Sequence, residues 1–140
     1  MNVFNIERSF RFKKEKKWDR IYVVVDAHGT LVRPYHDSVE IYPDAVEVLK
    51  WMTKRDDVYL ILWTSSYGNE YADIYNYCVK NGIIFDSINC NPCEKNNGKA
   101  CFDQKFYFNV LIDDKSGFEP ETDWSLVKKE LQRIGEWSQD

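Results

Sequence analysis

Residues able to do chemistry gather at three places in this chain. The first is Asp26-Ala27-His28-Gly29-Thr30, a carboxylate followed by an imidazole, a glycine that permits a sharp turn, and a hydroxyl. The second is Thr64-Ser65 and the third is the acidic pair Asp113-Asp114. Brought together, Asp26, Asp113 and Asp114 would set three negative charges against one another. A hard dication relieves such repulsion, and oxygen-only ligands suit magnesium, which keeps several waters and often takes a phosphate oxygen as well. Thr64 and Ser65 can donate hydrogen bonds to an anion, as can backbone amides in tight turns. Lys105 can add a positive charge to the same edge, with Lys99 and Lys115 competing for that role. A metal, a cation and hydrogen-bond donors around one carboxylate are the parts for phosphoryl transfer. Asp26 is then the nucleophile that becomes an aspartyl-phosphate.

Each group stands behind an apolar run. Ile21-Tyr22-Val23-Val24-Val25, Leu60-Ile61-Leu62-Trp63 and Val110-Leu111-Ile112 read as strands buried on both faces, as in a parallel sheet. The strands are expected over 21–25, 58–63 and 108–112. Pro43 fits the first position of a helix that turns Ala45, Val48, Leu49 and Met52 to one side. Tyr71, Ile74, Tyr75, Cys78 and Val79 repeat at helical spacing, and Gly82 closes that helix. Ile83-Ile84-Phe85 reads as a third, short strand, and Asp123 as the cap of a last helix carrying Val127, Leu131 and Ile134. Segments 32–42 and 89–99 read as loops, with His36 a loop residue. Strands alternating with helices predict an α/β fold, a Rossmann-like, doubly wound parallel sheet whose polar strand ends share one edge.

At 140 residues and 44% hydrophobic content, a single globular domain over 21–140 is expected, preceded by a basic N-terminal extension over 1–20. In that extension Lys13-Lys14-Glu15-Lys16-Lys17 is flanked by Phe10, Phe12 and Trp18. It reads either as a patch for phosphate-rich partners or as a solvated or edge element with its aromatics packed inward. No apolar run reaches the ~18 residues of a membrane span, and the first residues lack the layout of a secretion signal, so a cytoplasmic protein is expected. The net charge of −4 offers nucleic acid no overall attraction. Cys90-Asn91-Pro92-Cys93, with Cys101 beyond, has the spacing of half a zinc knuckle but lacks a second close pair, so free thiols are the plainer reading. Tyr71, Tyr75 and Phe85 read as core rather than as a stacking platform.

From Ile21 to Ile134 the chain resembles the haloacid dehalogenase superfamily of phosphohydrolases. Asp26-Ala27-His28-Gly29-Thr30 looks like its first motif, Asp-x-Asp-Gly-Thr. Thr64 looks like the second-motif hydroxyl, Lys105 like the third-motif lysine and Asp113-Asp114 like the fourth-motif acidic pair, all in the family's order. The resemblance implies a magnesium-dependent phosphatase with Asp26 as nucleophile and metal ligand. The backbone carbonyl of His28 would be a further metal ligand, beside Asp113 and Asp114. His28 stands where the family has its acid/base Asp, so a backbone ligand is kept while the proton shuttle becomes an imidazole. The alternative is a phosphate-binding or interaction module with weakened catalysis. Neither gap where the superfamily inserts a cap is long enough for one, so a capless member with an open site is expected. An open site suits an exposed phosphomonoester on a macromolecule or at a nucleic-acid end, unless a partner subunit acts as lid.

Overall fold

The computed structural model describes residues 2–33 and 39–137, so His36 and the middle of the 32–42 segment lie outside the described residues. The elements run α1 (Ile6–Lys16), β1 (Ile21–Asp26), α2 (Pro43–Thr53), β2 (Val58–Trp63), α3 (Gly68–Lys80), β3 (Ser87–Ile88), β4 (Val110–Ile112) and α4 (Asp123–Arg133), with short 3₁₀ turns at Val3–Asn5 and Asp114–Ser116. The sheet is wholly parallel, in the order β3-β2-β1-β4. The chain therefore builds outward from β1 through β2 to β3, then crosses back to the other side of β1. That reversal is a topological switch point, and it lies between β1 and β4. The register sets Val25 beside both Leu62 and Ile112, and Asp26 beside Trp63. The carboxyl ends of the three strands are therefore level, as the α/β reading requires.

Alternation along β1 divides the core in two. Ile21, Val23 and Val25 join buried residues of all four helices in one cluster. Tyr22 and Val24 join Ile61 in a second, against which Tyr59, Phe106, Tyr107 and Leu111 pack. No helix covers that second face among the described residues; the crossover from β3 to β4 does so as an aromatic loop. The N-terminal segment belongs to the first cluster. α1 is amphipathic, and its Ile6 and Phe10 are buried there while Lys14 and Lys16 stay in solvent.

Two strands are shorter than their apolar runs. Ile83 and Phe85 drop into the core, yet the run makes no ladder, because Asp86 takes over the pairing. Its carboxylate accepts from the Leu60 amide at 2.7 Å and its own amide donates to the Leu60 carbonyl, so the strand starts only at Ser87. At β4 the Asn109 side chain likewise accepts from the Tyr22 amide at 2.7 Å while its own amide donates to the Tyr22 carbonyl at 2.9 Å, and the strand starts one residue later. Asp123 is the first residue of α4 rather than its cap, and its carboxylate accepts from the Glu119 amide at 2.8 Å, bracing the preceding turn. Val79 lies on the solvent side of α3, which buries Ile74 and Cys78.

The amino end of the sheet is tied by Arg55. Its guanidinium makes two 2.8 Å bonds to Asp57, one of 2.9 Å to the Glu136 carboxylate and one of 3.1 Å to the Glu136 carbonyl, and it stacks over Trp51 at 4.9 Å. Lys13 of α1 reaches the same Asp57 at 3.1 Å. The Arg55 hydrogen bonds hold the Asp57 carboxyl down at about 2, so its contribution is complete above the ordinary carboxylate range and fades as pH falls toward 2. Arg55→Ala is expected to lower unfolding free energy by about 2 kcal/mol in urea titration, since charged, forked hydrogen bonds are lost. Arg55→Lys should recover less than half, because an ammonium cannot make the fork.

Candidate metal centre

β1 ends in a turn with a narrow geometric tolerance. The Ala27 carbonyl accepts from the amides of Leu31 at 2.9 Å and Val32 at 3.0 Å, closing the chain on itself just beyond Asp26. Gly29 holds φ at +84°, and a Cβ there would stand 3.0 Å from an Asp114 carboxylate oxygen. Glycine is needed both for the backbone and for the approach of the β4 loop. Thr30, fully buried, joins the two loops. Its Oγ1 lies 3.0 Å from Asp26 Oδ2 and 3.3 Å from Asp114 Oδ1, and it accepts from the Asp114 amide at 2.8 Å. Its single proton serves one carboxylate at a time, with the shorter contact to Asp26. The Thr30 carbonyl in turn accepts from the indole of the fully buried Trp124 at 2.9 Å, fastening the turn to α4.

Asp113 follows β4 in extended conformation. Its carboxylate accepts from the Lys115 amide at 3.0 Å, and its carbonyl accepts from the Ser116 amide and hydroxyl. The result gathers carboxylate oxygens of Asp26, Asp113 and Asp114 within 4.8 Å of one another, the one such group of His, Cys, Asp or Glu ligand atoms among the described residues. No cation pairs with any of the three there. Burial pushes the Asp26 carboxyl up to about 6; the charges of Asp113 and Asp114 add to this, and the Thr30 hydrogen bond opposes it. Three hard oxygen donors with uncompensated charge, two half-buried and one exposed at the open end of the sheet, fit a hard divalent cation. Cys90, Cys93 and Cys101 are exposed and form no such group.

The other expected residues fall into two sets. His28 is exposed, with Nε2 3.0 Å from the Ser66 hydroxyl. The Ser66 amide donates to Thr64 Oγ1 at 3.1 Å, which leaves the Thr64 proton free for an anion. Thr64 is clamped through its backbone by Asn89, which accepts from its amide at 2.8 Å and donates to its carbonyl at 2.7 Å. Asn89 itself sits at φ 58°, a conformation that asparagine tolerates better than most residues. Ser66 and Asn89 thus position His28 and Thr64 although neither stood out in the sequence. The signal available was slight: a third hydroxyl in Thr64-Ser65-Ser66 and an Asn directly after a strand. Ser65 is exposed beside them. Lys105 is exposed on the crossover loop, in a groove with Leu111 and Ser116 that none of the three aspartates lines, and it makes no ion pair with them. Lys99 and Lys115 are also exposed.

No protein-family model matches the chain, and no curated protein does so either. A solved structure of a conserved protein coded by a locus from Bacteroides thetaiotaomicron is similar, with a TM-score of 0.63 and 25% identity over 81% of this chain and 91% of that one. The likeness agrees with the parallel α/β architecture. No helix among the described residues is long and apolar enough to cross a membrane.

The raised Asp26 carboxyl makes stability depend on pH in a definite direction. Its ordinary value is 3.8 and its value in the fold is about 6, so between these the folded chain holds a proton that the unfolded chain has lost. Without metal, stability should therefore fall as pH rises through this window, with the full penalty present above it. In EDTA, the melting temperature of Asp26→Asn at pH 7 should exceed the parent's by several degrees and show a flatter slope between pH 5 and 7. Magnesium should raise the parent's melting temperature at pH 7 more than the variant's. Parallel melting curves for the two proteins across this range would contradict the assignment.

Proposed function

We propose that this chain is a magnesium-dependent phosphohydrolase of the haloacid dehalogenase type, acting on an exposed phosphomonoester. The observation that carries this reading is the position of Asp26: at a switch point, hydrogen-bonded by Thr30, and within metal-binding distance of Asp113 and Asp114. The motif order Asp26, Thr64, Lys105, Asp113-Asp114 supports it. Magnesium held by the three carboxylates and the His28 carbonyl would neutralise them and the substrate phosphate.

In this reading an Asp26 carboxylate oxygen attacks phosphorus as the bond to the leaving oxygen breaks. The His28 imidazolium protonates that leaving oxygen. The neutral imidazole then takes a proton from water, which attacks the aspartyl-phosphate and releases inorganic phosphate. The Thr64 hydroxyl donates to a phosphate oxygen and Ser65 is placed to do likewise, while Lys105, the third-motif counterpart by order, stands in the neighbouring groove on the crossover loop. One observation favours a second reading, a phosphate-binding module without turnover: the His28 ring is already engaged by Ser66.

The two readings separate on leaving-group dependence. With magnesium, Asp26→Asn should lose hydrolysis of both an alkyl and an aryl phosphate. His28→Ala should slow the alkyl phosphate by ~10²–10⁴-fold, because that leaving group needs the proton, and slow the activated aryl phosphate much less. His28→Asp should raise the alkyl rate most. Hydrolysis that survives Asp26→Asn would rule out the nucleophile assigned here, and phosphate binding without hydrolysis would favour the second reading.

A further inference from the structure

We propose that the aromatic groove along the β4 edge binds single-stranded nucleic acid and presents its phosphorylated end to the Asp26 site; this rests on the phosphohydrolase reading and names its substrate class. The groove has a volume of about 880 Å³. Phe102, Phe106, Tyr107 and Phe108 from the crossover loop stand in it with Phe4 and Arg8 from the N-terminal segment. Such a wall of rings is a sequence-tolerant stacking surface for bases. The rings are braced: Phe102 lies edge-on to Tyr107 at 5.4 Å, Tyr107 to Tyr22 at 5.6 Å, and Phe106 to Trp63 at 5.0 Å. Stacking on them therefore costs little reordering.

Charge points the same way. Arg8 and Lys105 are the charged side chains that line the groove; both are cationic and neither is held in an ion pair among the described residues. This local sign runs against the chain's net charge of −4. A ligand matching the groove carries flat apolar groups and more than one negative charge. Part of the polar lining is already engaged by the protein: Asn5 Nδ2 donates to the Asn109 carbonyl at 2.7 Å, and Asn109 Oδ1 accepts from the Tyr22 amide at 2.7 Å.

The groove borders the site without including any of its three carboxylates. At one end the Ser116 hydroxyl donates to the Asp113 carbonyl at 2.8 Å, and Phe106 touches Trp63, the register partner of Asp26. At the other end Asn109 is level with Tyr22, four residues back along β1, which is about 13 Å of strand. Stacked nucleotides rise ~3.4 Å each, so the wall accommodates several and a strand fits better than a mononucleotide.

The test is fluorescence anisotropy of a labelled eight-nucleotide single strand carrying a terminal 5′-phosphate, titrated with the full chain in EDTA so that binding is read without turnover. Saturable binding is expected, at least tenfold tighter than for a mononucleotide or for the matching duplex. Phe108→Ala and Arg8→Ala should each weaken it about tenfold, and Arg8→Ala should make the salt slope shallower by about 0.7. Both positions are exposed enough that circular dichroism should match the parent. Equal affinity for strand and duplex, or binding untouched by both substitutions, overturns the proposal. So does loss of binding on Lys14→Ala with Lys16→Ala but not on the groove variants, which would move the contact to the basic run of α1. Hydrolysis of an aryl phosphate by a parent that binds no strand overturns the groove assignment alone. Strand binding by a parent that hydrolyses nothing sustains the groove and overturns the phosphohydrolase reading instead.

Discussion

Three carboxylates converge at the meeting of β1 and β4, and much of the local structure serves to hold them there against their mutual repulsion. The Thr30 hydroxyl touches two of them, Asp26 and Asp114, and accepts from the Asp114 amide, while Trp124 fastens Thr30 from beneath. The hydroxyl and indole are fully buried, so these bonds are made away from competing water. Gly29 completes the arrangement, since its φ of +84° suits glycine and a Cβ there would stand 3.0 Å from the Asp114 carboxylate. Burial, with the neighbouring charges adding to it, pushes the Asp26 carboxyl up, and that is the cost of holding the cluster without a cation. Binding a hard cation converts that penalty into affinity.

The sheet's two faces are built differently, and the difference places the aromatic groove. Strands β1, β2 and β3 are joined through α2 and α3, whose buried residues lie in the first cluster. The return crossover to β4 covers the opposite face without a helix, using Phe106 and Tyr107 against Tyr22, Val24 and Ile61. A loop can fill this role because rings bury large area per residue and pack edge to face. It also leaves part of its ring surface in solvent, as Phe108 shows. The same segment that closes the core therefore forms the wall beside the site.

Around His28 the arrangement is looser. Its ring, Ser66, Thr64 and Asn89 form a hydrogen-bonded chain that bridges the loops after β1, β2 and β3. Only the Asn89 end is clamped through backbone atoms on both sides. An exposed imidazole at the free end can exchange a hydroxyl partner for a ligand at small cost.

The strands, the parallel order and the helices α2, α3 and α4 were legible from sequence because their apolar periodicities are long and the carboxylates follow them directly. The acidic trio was legible for the same reason: a parallel sheet brings the ends of its strands to one edge whatever the side chains are. Local pattern could not reveal where an apolar run stops pairing. Ile83-Ile84-Phe85 is apolar throughout like a short strand, but Asp86 takes the hydrogen bonds, a choice settled only by its distance from Leu60. Nor could it reveal the role of Thr30, whose partners Asp114 and Trp124 are 84 and 94 residues away. The N-terminal segment read as a basic extension because its charges are contiguous; that Ile6 and Phe10 share the core is a property of helical packing against residues far along the chain. Sequence alone thus determined which chemical groups are available and which edge they share. Tertiary structure decided which of them touch, because hydrogen bonds and burial depend on distances that close only when remote segments pack together.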